Sequence, residues 1–67
     1  MDIEQARARL IRLQAERFAA LELGFENPSP YMARIDAAIE EARTAYITSA
    51  VLEIALLRES LAGATHG

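Results

Sequence analysis

The sequence predicts an all-α protein: an antiparallel helical hairpin, with a short first helix and a long second one, associating into a four-helix bundle. Three observations carry that expectation. The 67 residues are 52% hydrophobic and hold no Cys, so neither a disulfide framework nor a thiolate metal site can support the small core. Strong helix formers fill the chain on both sides of a single Gly- and Pro-bearing break. The two helical stretches are also unequal in length, which leaves apolar surface that one copy cannot cover alone.

The first helix is expected over residues 2–23. Wrapped at about 100° per residue, Ile3, Ala6, Leu10, Leu13 and Leu21 fall on one side, with Ile11 and Phe18 at its edge. Glu4, Arg9, Arg12 and Glu16 occupy the other side, and Asp2 and Glu4 suit the positive end of the helix dipole. The turn, 24–29, follows from its residue types. Gly24 fits the left-handed position after a helix, and Pro28 and Pro30 hold Asn27 and Ser29 out of helical geometry. Ser29 is then a natural N-cap with Pro30 at the first helical position, while Phe25 is expected to fold back over the open end of the pair. So short a loop makes the helices antiparallel.

From Pro30 to Ala62 the second helix meets no further Gly or Pro, and Gly63 is the expected stop, leaving a tail at 63–67 that includes His66. At 1.5 Å per residue the helices measure about 33 Å and about 48 Å, so the first covers the second only to about residue 50. Val51, Leu52, Ile54, Leu56, Leu57 and Leu61 project beyond it and form the expected oligomer interface. The apolar stripe of the second helix also turns. Early on it runs through Tyr31, Met32, Ile35, Ala38, Ile39, Ala42 and Tyr46; later it passes to Ile47, Ala50, Val51, Ile54, Leu57 and Leu61. Supercoiling would shift a heptad stripe only about 20° per heptad and in the opposite sense, so a change of neighbour accounts for the turn. A homodimer is the simplest closed arrangement; a higher oligomer or a second protein would satisfy the same pattern.

Three polar residues interrupt these faces and form a candidate polar interface: Arg7, Arg17 and Glu53. Arg17 lies within the stripe of the first helix and is expected to meet Asp36 and Glu40 across the hairpin. Glu53 shares a narrow polar strip with Ser49 and Ser60. Asp36, Glu40 and Glu41 lack the Glu-x-x-His pairs of a carboxylate metal site and read as a solvated face.

No phosphate-binding loop, nucleophile elbow or dinucleotide fingerprint is present. No catalytic residue, metal or cofactor is therefore expected, and the chain reads as a non-enzyme. A net charge of −3, with seven Arg and no Lys, argues against nucleic acid as partner. The run from Ala45 to Leu57 holds Thr48, Ser49 and Glu53 and is too short and polar to span a bilayer. No leader segment is visible, so the expected location is cytoplasmic. The absence of Lys beside fourteen Ala suggests a GC-rich bacterial or phage genome. These readings converge on a small non-catalytic, homo-oligomeric protein-protein interaction or assembly module. The alternatives are a nucleic-acid-associated regulator of the helical-hairpin-dimer kind and a small enzyme with its site at the oligomer interface.

Overall fold

The computed structural model describes residues 2–65, in which α1 (Ile3–Glu22) and α2 (Pro30–Thr65) pack against each other as an antiparallel hairpin with no strand among the described residues. The molecule is a rod of 61 × 15 × 14 Å, its length set by the 36 residues of α2.

Each helix end has an identifiable cause. Asp2 stands one residue outside α1 in extended geometry, and its Oδ1 accepts from the Gln5 amide at 2.8 Å. The expected start at residue 2 therefore moves to Ile3, because Asp2 serves as the cap. At the other end the Phe25 amide donates to the Ala20 carbonyl and the Gly24 amide to the Leu21 carbonyl, at 3.0 and 3.1 Å. This crossed pair is the Schellman arrangement, which requires the first of the two donor residues to be left-handed. Gly24 supplies it with φ +90°. The Asn27–Pro28 peptide is cis. Ser29 Oγ then accepts from the Met32 amide at 3.1 Å, with Pro30 opening α2 as the sequence predicts.

The far end of α2 corrects the expectation of a tail from residue 63. The helix runs through Gly63 to Thr65. Gly63 lies outside the positive-φ region, so it is simply a residue of the helix. A glycine inside a helix costs about 1 kcal/mol relative to alanine but keeps its hydrogen bond, and it ends a helix only when it turns left-handed. His66 lies outside the described residues.

Ala20, Met32, Ile35 and Ile39 form the core cluster, with Leu10, Leu13 and Tyr31 packed against it. Ala6 and Ala42 are buried closer to the start of α1. The buried line of α1 thus advances by four and three through Ala6, Leu10, Leu13, Arg17 and Ala20, the spacing of a helix pair wound around each other. Leu21, placed on that face by the 100° wheel, is instead partly exposed, and Ile11 and Phe18 lie fully outside it. Small Ala20 takes the contact because it lets the helices approach closely near the turn. Phe25 stacks on Tyr31 with ring centroids 4.8 Å apart and remains half-exposed, so it covers the turn only in part.

Candidate interaction surface

α1 covers α2 as far as Ala50, and every described α2 residue from Val51 to Gly63 is exposed. The overhang carries six large aliphatic side chains: Val51, Leu52, Ile54, Leu56, Leu57 and Leu61 are 53–66% exposed. That is where the unequal helix lengths place them, and soluble surfaces rarely gather so many together. The start of α1 meets the overhang at a shallow notch lined by Asp2, Ile3, Glu4, Ser49, Leu52, Glu53 and Leu56.

Two lines along α2 exchange character at this point. The line facing α1 holds Met32, Ile35, Ile39 and Ala42 beneath α1, and beyond it continues as Ser49, Glu53, Leu56 and Ser60. Roughly a quarter-turn around the helix, a second line begins with Asp36, Glu40 and Arg43 and continues as Ile47, Ala50, Ile54, Leu57 and Leu61. Where α1 stops, the face it would cover turns mixed, with Ser49, Glu53 and Ser60 interleaved with Leu56. Where that happens, the neighbouring face becomes apolar.

The polar residues singled out from sequence lie apart. Arg17 reaches across the hairpin, its Nε donating to Asp36 Oδ1 at 2.7 Å, with both side chains part-exposed. Glu40 takes no part in that contact; its carboxylate accepts from Arg43 one turn on. Glu53 sits in the notch beside the start of α1. Arg7 is exposed and forms no ion pair among the described residues. Within one copy, therefore, Arg7, Arg17 and Glu53 do not form a single site.

A cleft of about 470 Å³ runs along one side of the hairpin between Gln14, Arg17, Phe18 and Leu21 of α1 and Asp36, Ile39, Glu40 and Arg43 of α2. Phe18 is 66% exposed on its rim, an apolar feature that sequence reasoning assigned to the edge of the core. On the opposite side Tyr31 donates its hydroxyl to Glu16 Oε1 at 3.2 Å. Partial burial first, and then the Glu16 carboxylate, raise the Tyr31 pKa above its ordinary value. Both arrangements bind helix to helix. Among the described residues no group of three or more His, Asp or Glu is placed to hold a metal, and no helix is long and apolar enough to cross a membrane. The chain matches no family model, and neither a curated protein nor a solved structure matches it.

Proposed function

We propose that this protein is a small, non-catalytic assembly module that self-associates through the α2 overhang, as a homodimer with bundle-like packing, and presents the rest of the hairpin to another macromolecule. The observation that supports this reading is the exposure of Val51, Leu52, Ile54, Leu56, Leu57 and Leu61 in a single copy. Each such side chain gains about 1.5–3 kcal/mol when its contact with water is removed. A hairpin core whose only fully buried large side chain among the described residues is Met32 has little other stabilisation to draw on. Exposed Phe18 and part-exposed Leu21 along the cleft give the module an apolar surface separate from the overhang. The four Arg of α1 spread around the helix, and nearby acids offset them, which favours a protein partner over nucleic acid.

The test is molecular mass by light scattering across a concentration series. The expected result is twice the 7.4 kDa of one chain. Leu57→Glu, which would bring a carboxylate into the association face, should reduce the mass to one chain, while Glu59→Ala should leave it unchanged. A wild-type protein that remains a single chain up to several hundred micromolar overturns the proposal.

A further inference from the structure

We infer that the occupant of the overhang is a second copy of the same overhang, running parallel to it in register, so that the two α2 C-terminal halves form a short two-stranded coiled coil. This inference rests on the self-association proposed above and adds its direction and its residues: of the six exposed side chains Ile54, Leu57 and Leu61 enter the seam, Val51 flanks it, and Leu52 and Leu56 stay on its outer side.

Ile47, Ala50, Ile54, Leu57 and Leu61 advance by three and four, the spacing of the core positions of a coiled coil. Ile47, Ile54 and Leu61 occupy the first core position of successive heptads, and Ala50 and Leu57 the second. Isoleucine at the first and leucine at the second is the choice that favours two parallel strands, and Ile47, Ile54 and Leu57 follow it while Ala50 and Leu61 depart from it. One heptad earlier the same positions hold Glu40 and Arg43, whose ion pair closes the seam on that side. The seam therefore begins where α1 ends its cover.

Charge selects the direction. Glu53 and Arg58 flank the seam on opposite sides, five residues apart. In a parallel pair those two flanking positions face each other across the interface, so Glu53 of each copy meets Arg58 of the other, twice by symmetry. Antiparallel pairs bring like flanks together. One antiparallel register that keeps the seam in phase sets Glu53 against Glu53 of the second copy and Leu61 against Arg43. The next sets Glu53 against Ser60 and Arg58 against Val51. A third, with α2 overlapping over its whole length, lays Ile54, Leu57 and Leu61 on Arg43, Glu40 and Asp36. Only the parallel register pairs every flanking charge with its opposite and apolar residues with apolar ones. A lipid surface is the poorer occupant, because the overhang carries Glu53 and Glu59 against a single Arg58, and membrane-lying helices are rich in basic residues.

The absence of Cys from the chain makes cross-linking a direct test. In the parallel register Leu61→Cys brings two thiols within the Cα separation of about 4.4–6.8 Å that a disulfide accepts. In the first two antiparallel registers residue 61 of one copy lies roughly 16–27 Å along the axis from residue 61 of the other. Oxidation of Leu61→Cys should therefore yield a covalent dimer. A mixture of Ala50→Cys and Leu61→Cys chains should yield no mixed disulfide. Glu53→Arg should weaken dimerisation by about tenfold, and adding Arg58→Glu should restore it, with helicity by circular dichroism unchanged in both. Oxidation that leaves Leu61→Cys uncoupled in a protein of dimeric mass overturns the parallel seam while leaving self-association intact, whether or not the mixed pair forms. A trimeric mass overturns it as well. A wild-type monomer removes both proposals, and its uptake by anionic vesicles would assign the stripe to a lipid surface.

Discussion

Among the described residues Met32 is the one large side chain with no exposed surface, and its own amide is held by Ser29 at the start of α2. Packing and capping therefore meet at one turn of helix. Met32→Ala should cost about 2–5 kcal/mol, enough to leave a hairpin of this size largely unfolded. Ser29→Ala should cost about 0.5–2 kcal/mol, because the amide it satisfies loses its side-chain partner. Urea titration followed by circular dichroism measures both, and an unchanged midpoint for Met32→Ala would contradict the assigned core. The Tyr31 hydroxyl offers a second measurement. Its raised pKa means that the fold favours the neutral phenol, so the stabilisation is present below the ordinary tyrosine value of about 10 and is lost as pH rises through the folded value. In a Tyr46→Phe background the phenolate absorbance of Tyr31 should appear above the range of free tyrosine. Glu16→Ala should move it back part of the way, leaving the contribution of burial.

Gly24 and Gly63 show how the same residue type acts differently in two elements. Gly24 holds φ +90°, which side chains of L-residues rarely adopt, and the space around a Cβ there is open. Gly24→Ala should therefore destabilise the hairpin by about 1–2 kcal/mol through backbone strain alone. Gly63 is an ordinary helical residue with open space at its Cβ position. Gly63→Ala should strengthen the end of α2 by up to about 1 kcal/mol and raise helical ellipticity slightly. Opposite shifts in thermal midpoint for the two substitutions are the expected result; a loss of helix in Gly63→Ala would contradict the continuous α2. A sequence reading that treats each glycine as a stop cannot separate these cases. Gly24 is followed by Phe25 and two prolines, whereas Gly63 is followed by Ala64 and Thr65, which permit the helix to go on.

For the whole molecule, the 20 residues of α1 against the 36 of α2 give the hairpin an uncovered end. The break at 24–30 and its flanking helix formers made both helices, their antiparallel arrangement and the approximate end of cover at residue 50 legible. The Arg17–Asp36 contact was legible too, because a charged residue within an apolar stripe has few places to find an opposite charge. The finer core was not. Leu21 and Ala20 are adjacent, and a fixed wheel cannot decide between them when winding of the pair shifts the contact line by a few tens of degrees. The exposed Phe18 at the rim of the cleft was missed for the same reason.

Local chemistry by itself determined where the chain turns and which stretches are helical, because caps, prolines and helix propensity act within a few residues. It also determined that the second helix outruns the first, since length follows from residue count. Only the packed hairpin decided which side of each helix meets the other and which stays bare. That choice depends on the approach of two surfaces rather than on either alone. The exchange of polar and apolar lines at Ile47 belongs to both levels. The residues were always in the chain, but the end of α1 gives their order its meaning.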